Sequence, residues 1–214
     1  MAVETPTPWL APLLQVLHET QARASCSRLE HALQRLDPGA RWRLLHRWHA
    51  ETVLPVLAAA LPRQGQAAAT LQRLHQRAAL GLAGRSGEWR MALQPVLLAT
   101  YRQAYAFEAV YAQAYDSAVS YGQAPANLAM IAEQFGDAEA FGRHYAQLSS
   151  EANATTFATA HAACATTIAA RAYANTDEQA YASIIRPLVR VYRLAGKSPN
   201  EQLLAGLHQA LARQ

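Results

Sequence analysis

Apolar positions recur every three to four residues from about residue 8 to the end of the chain, and nowhere do they alternate with polar ones as a half-buried strand requires. The first run, 8–36, places Leu10, Leu13, Leu14, Leu17, Leu29, Leu33 and Leu36 at helical spacing. Thr7 before Pro8 is its start signal, and its polar middle at 20–27 is where a break is expected. Asp37-Pro38-Gly39 reads as a turn. A second helix, 40–61, aligns Trp42, Leu45, His49, Val53, Val56 and Ala60, and Pro55 is expected to kink it. A third, 66–82, aligns Leu71, Leu74, Ala78 and Leu82, and GRSG at 84–87 makes a flexible turn. A fourth is expected from 86–88 to Tyr121. Its stretch 99–121 carries five of the nine tyrosines among alanines, and its apolar arc covers more than half the circumference, which predicts a helix buried on several sides.

Residues 127–148, NLAMIAEQFGDAEAFGRHYAQL, resemble one tetratricopeptide-type helical hairpin. Leu128 and Ala129 fall in its first helix, Gly136-Asp137 at the turn, and Tyr145 and Leu148 in the second helix. Phe141 stands where that family carries a small alanine. No second copy follows at about 34 residues, so a generic αα-hairpin describes the stretch. The run 153–174 is built almost wholly of small residues, which allow close helix approach. Thr176 to Gln179 has the spacing of a capping box opening a further helix with Pro187 inside it, and Ser198-Pro199-Asn200-Glu201 starts the last. The expected fold is all-α with no sheet: a multi-helix bundle or short irregular α-solenoid of about 8–9 helices. A single domain over 1–214 is expected, with any subdivision near 84–87 separating N-terminal helices 8–83 from a helical core 88–214.

Composition agrees with this picture. Apolar residues make up 51% and charged residues 16% of 214, below the usual quarter and far from a disordered composition. The net charge is +4, and 18 of the 19 cations are arginine. Residues 1–100 hold 11 arginines against 6 acids, an asymmetry that would suit an anionic partner. Arginines 23, 28, 35, 41, 43 and 47 are spread around their helices, however, and no recognition helix accompanies them. Cys26 and Cys164 form no CxxC pattern, so reduced thiols and a cytoplasmic location are expected. The N-terminus lacks the pattern of a signal peptide, and no run of about 18 apolar residues predicts a membrane span.

Three constellations are candidates for chemistry. Glu108 lies among Tyr101, Tyr105, Tyr111 and Tyr115, where desolvation would raise a carboxylate pKa and the rings offer stacking faces. The stripe Phe157, His161, Cys164, Ile168 and Arg171 puts His161 and Cys164 one turn apart, a weak metal pair short of the three or four ligands zinc needs. An arginine on that face requires a partner, and Glu108 is the expected one. Third, His46 and His49 sit beside Trp42 and Trp48 as HxxH, read as filler of core and surface. No Glu-x-x-His, HExxH, GxSxG, P-loop or GxGxxG occurs.

The sequence therefore leans away from an enzyme and implies no cofactor. The leading expectation is a helical protein that binds a protein or peptide in a groove between helices. The alternative is a small-molecule or enzymatic pocket lined by Tyr101, Tyr105, Glu108, Tyr111, Tyr115, His161 and Arg171. Nucleic-acid binding by the arginine-rich half is the weakest of the three.

Overall fold

The computed structural model describes residues 7–18, 29, 31–105, 107–195 and 199–213, with only the backbone described at 18, 107–110, 195 and 199–200. Besides a helical stretch at 31–34, its described α-helices are α1 (Leu10–His18), α2 (Pro38–Trp48), α3 (Leu54–Ala60), α4 (Gly65–Ala79), α5 (Ser86–Ala104), α6 (Phe107–Gly122), α7 (Leu128–Phe135), α8 (Ala138–Asn175), α9 (Glu178–Ala195) and α10 (Pro199–Ala212). The described residues contain no strand. The fold is all-α, as the periodicity predicts. They also contain no helix long and apolar enough to cross a membrane.

Several helix ends follow directly from local chemistry. Asp37 caps α2: its Oδ1 accepts the Ala40 N–H at 2.9 Å, with Pro38 at the first helical position, so the expected turn is in fact a helix start. Gly136, at φ +89°, turns the chain between α7 and α8, and Asp137 then caps α8 by accepting the Ala140 N–H. The cap of α9 lies one residue later than the box spacing suggests. Thr176 adopts a positive φ of 53° as α8 ends, and Asp177 Oδ1 accepts from Ala180 N at 2.9 Å. At the other end of the chain, Thr7 does not cap through its hydroxyl. Its carbonyl accepts from Leu10 N, and the helix starts at Leu10. The expected break at 20–27, Cys26 and the Ser198 cap lie outside the described residues.

Pro55 acts one turn earlier than a simple kink. Residues His49–Val53 form a π turn in which Leu54 N–H reaches back to His49 O. The next donor in that ladder would be Pro55, which has no N–H, so the Ala50 carbonyl is left over. Gln72 Nε2 of α4 donates to it at 2.8 Å. The proline is thus accommodated by a wider turn and a side chain from the neighbouring helix.

Two further departures concern how the helices are cut. The single helix expected from 86–88 to 121 is two, α5 and α6, with Tyr105 in a bend between them. Conversely, the hairpin's second helix does not end at 148. It continues to Asn175 as one helix of 38 residues, about 57 Å long. The polar side chains of its middle find partners along the helix itself: Asn153 bonds Ser149, and Thr156 Oγ1 donates to the Ala152 carbonyl at 2.8 Å.

The chain divides into two compact units. The first comprises residues 1–104 and 162–214, the second residues 105–161. The turn at 84–87 lies inside the first unit, and the division falls at the α5–α6 bend and within α8.

The first unit is a closed helical bundle. Helix α1 packs on α9 and α10, α2 on α4 and α10, and α5 on α4 and α9, so the last helices return to the first. Side chains lock these pairings. Trp48 Nε1 donates to the Leu203 carbonyl at 2.8 Å, Arg193 to that of Val16 at 2.9 Å, and Arg213 pairs with Glu51 at 2.8 Å. Gly206 of α10 faces Thr52 so closely that no Cβ fits there.

Candidate functional site

The second unit builds its surface from α6, α7 and the first half of α8. Glycines set how close the walls stand. A Cβ on Gly142 would come within 2.5 Å of Val119 Cγ2 and 3.1 Å of the Tyr115 ring, and one on Gly122 within 3.0 Å of Ala138 Cβ. Helices α6 and α8 therefore cross in near contact, and α7 leans on both after the tight Gly136 turn. The crossing leaves an apolar groove of about 600 Å³. Buried Ala118 and Ile131 contribute to its floor. Phe141 is central to it: its ring meets Phe135 edge-on at 5.1 Å and lies 5.9 Å from Tyr145 and 6.1 Å from Tyr121. The rims stay open, with Tyr121 53%, Met130 42% and Tyr145 48% exposed.

Apolar surface continues past the groove. Phe141, Tyr145 and Leu148 follow one another at i, i+4 and i+7 along α8, and Leu148 and Leu128 are also exposed. Side chains of this size in open water are unusual in such density outside interaction surfaces. Among the described residues, the lining supplies hydroxyls and one amide, from Ser117, Tyr121, Tyr145 and Gln134, but no carboxylate, imidazole or thiol.

The residues singled out in sequence are placed quite differently. Tyr101 is buried in the first unit, at 3% exposure. Tyr105 is half-buried in the second, where its ring lies 5.5 Å from His161 and 6.3 Å from Phe157; burial raises its phenol pKa. Tyr111 and Tyr115 stack on each other at 6.3 Å, and Tyr115 also packs against Gly142. The Glu108 side chain lies outside the described residues.

The expectation that α6 is buried all round does not hold. Among its described side chains only Ala118 and Gly122 are buried. The second stripe faces solvent, with Phe157, His161, Cys164 and Arg171 all exposed. The inward face of α8 is the alanine one: Ala158, Ala162, Ala165, Ala169, Ala170 and Ala172. Small residues point in because the backbone approaches its neighbours closely there, which leaves the large ones outside. Arg171 is therefore no buried cation awaiting Glu108. Its guanidinium reaches Asp177 at 3.2 Å in the open, and the backbone N–H of Ala180, then Arg171, holds that carboxyl below its usual range. Among the described residues, no three His, Cys, Asp or Glu side chains are placed to hold a metal ion.

What the sequence did not bring together is the core of the first unit. His46, His49, His75, Trp42, Trp89, Tyr173 and Tyr181 form one buried cluster. His46 Nδ1 and His75 Nδ1 share a hydrogen bond at 2.9 Å, and His49 Nε2 and the Tyr181 hydroxyl another at 2.7 Å. His49 stacks on His75 at 4.7 Å, and Tyr173 sits against Trp89 at 4.8 Å and His75 at 4.9 Å. Burial pushes His46 down to about 3; it does the same to His49, helped by the charge His46 would carry. Burial, then His49 and His46, lowers His75 well below the ordinary value. Burial likewise raises the phenols of Tyr173 and Tyr181. These imidazoles are neutral hydrogen-bonding rings in a closed interior, so HxxH here is core throughout. His75 and Tyr173 each stood on an apolar helical face, but periodicity does not show which faces meet.

The chain matches no protein-family profile, no curated protein and no solved structure.

Proposed function

We propose that the chain acts without catalysis, as a helical protein whose second unit receives a segment of a partner protein in the groove between α6, α7 and α8. The observation that carries this reading is the shape of the exposed apolar surface. It is an open strip, aromatic and with Met130 on its rim, running from the groove along α8 to Leu148. Such a strip suits the i, i+3/i+4, i+7 anchors of an amphipathic helix, whereas a small molecule prefers a pocket that encloses it. Methionine and aromatic side chains on the rim adapt to an incoming apolar face.

The test is binding of a synthetic amphipathic helical peptide to the whole chain, compared between wild type and Met130→Ala/Tyr145→Ala. Both side chains are exposed, so their loss leaves the fold intact. Binding weakened at least tenfold in the double variant supports the groove. Equal binding by both proteins rejects it.

A further inference from the structure

We propose, resting on the groove reading above, that the segment received is a cationic amphipathic helix, with lysines or arginines flanking its apolar anchors. Residues 105–161 hold six acids and a single arginine, a balance of −5, in a chain whose total is +4. The acids with described side chains, Asp116, Glu133, Asp137, Glu139 and Glu151, are all exposed.

One of them edges the groove. Glu133 stands about 60° around α7 from Met130, whereas Asp116 lies about 200° around α6 from Ala118 and adds only to the charge of the unit. Among the described residues, neither carboxylate is engaged by another side chain, whereas Asp137 caps α8 and Glu151 is bonded by Gln147. The one cation is turned away. Arg143 lies about 200° around α8 from Phe141 and is paired with Glu139 at 3.6 Å. An apolar strip edged by the Glu133 carboxylate, on a unit with a balance of −5 and its only guanidinium on the far side, favours lysine or arginine flanks and repels acidic ones. The occupant the surface selects is therefore defined by two properties together: apolar anchors at helical spacing and positive flanks.

Three peptides of equal length separate the claims. The first carries leucine and phenylalanine anchors with lysine flanks, the second the same anchors with glutamate flanks, and the third the composition of the first in scrambled order. Each is titrated by fluorescence anisotropy into the full chain at 50 and 500 mM NaCl. Only the part of the binding that Met130→Ala/Tyr145→Ala removes is counted, since the positively charged first unit offers the acidic peptide other sites. The lysine peptide is expected to bind at least tenfold tighter than the glutamate peptide at 50 mM, with the gap closing at 500 mM. Asp116→Asn/Glu133→Gln is expected to weaken the lysine peptide about fivefold at low salt. Equal groove binding of the lysine and glutamate peptides overturns the charge inference and leaves the groove reading standing. No groove binding by either peptide overturns both. A scrambled peptide that binds as well as the ordered one reduces the interaction to charge alone, and self-association dissolved by Tyr145→Ala makes a second copy the occupant; either result also overturns the proposal.

Discussion

The two units use the same kind of sequence, rich in alanine and punctuated by aromatics, for opposite ends. All four tryptophans lie in the first, at 9, 42, 48 and 89, every one buried. The second has no tryptophan, and it exposes Tyr121, Tyr145, Leu148 and Phe157. The first holds 18 cations against 9 acids, the second one against six. Aromatic content by itself therefore distinguishes nothing. What separates a core from a receptor surface is whether the backbone around the rings is closed on every side or left open on one.

The contrast is sharpest toward acid. The three buried histidines have folded-state pKa values below the ordinary 6.5, so on acidification the unfolded chain takes up their protons first. Stability is thus fully present above about pH 6.5 and is lost as pH falls toward about 3. At pH 5 the loss is about 2 kcal/mol for each of His46 and His49, with His75 adding in the same direction, a large part of a typical domain's total. Because every tryptophan is in the first unit, its fluorescence reports on that unit alone. Urea midpoints followed by tryptophan emission are expected to fall steeply between pH 7.5 and 5. A flat profile would show that the histidines are not neutral in the fold.

Next in size is Trp48→Ala, which removes a fully buried ring and leaves the Leu203 carbonyl without its donor. A cost of about 3–5 kcal/mol is expected in the same fluorescence-detected transition. Gly142→Val attacks the second unit instead, by forcing α6 and α8 apart. A loss of about 1–3 kcal/mol is expected in circular dichroism, together with loss of peptide binding. If the tryptophan transition shifts by the same amount, the two units unfold as one. The smallest effect is Tyr145→Ala, where stability should change by less than about 0.5 kcal/mol while peptide affinity falls. A large stability loss there would mean that the open rim is part of the core.

The breaks between helices were partly legible, because a turn is signalled by a few neighbouring residues: the boundaries at Asp37-Pro38-Gly39 and Gly136-Asp137 could be found by inspection. Which side chain caps was less so, since Asp37 starts a helix, Thr7 does not cap through its hydroxyl and Asp177 takes the place expected of Thr176. The cuts were not legible: no glycine or proline marks the bend at Tyr105, and the helical stretch 149–156, whose side chains bond along the helix, has in sequence the polar composition of a loop. The site was harder still. Periodicity showed that α8 has two faces but not which one turns inward, and its larger residues drew attention to the solvent side. Phe141, out of place in a tetratricopeptide-like pattern, was the one visible hint of the groove, since a ring where alanine belongs holds the helices apart. The acidic balance gained meaning only once residues 105–161 stood as a unit.

The turn before Pro55 bears on which changes of length this chain can tolerate. From Trp42 to Leu61, the buried positions 42, 46, 49, 53, 57 and 61 span nineteen residues in five turns, where a regular α-helix spends eighteen. The π turn takes up the extra residue, so both halves of the segment present their apolar sides in one direction. Deleting one residue of the π turn would leave eighteen residues for five regular turns, so Leu57 and Leu61 would keep their direction relative to His46 and His49. A one-residue gap at this turn would thus preserve the facing of both halves, and a second deletion, with no extra residue left to absorb it, would rotate one half by about 100°.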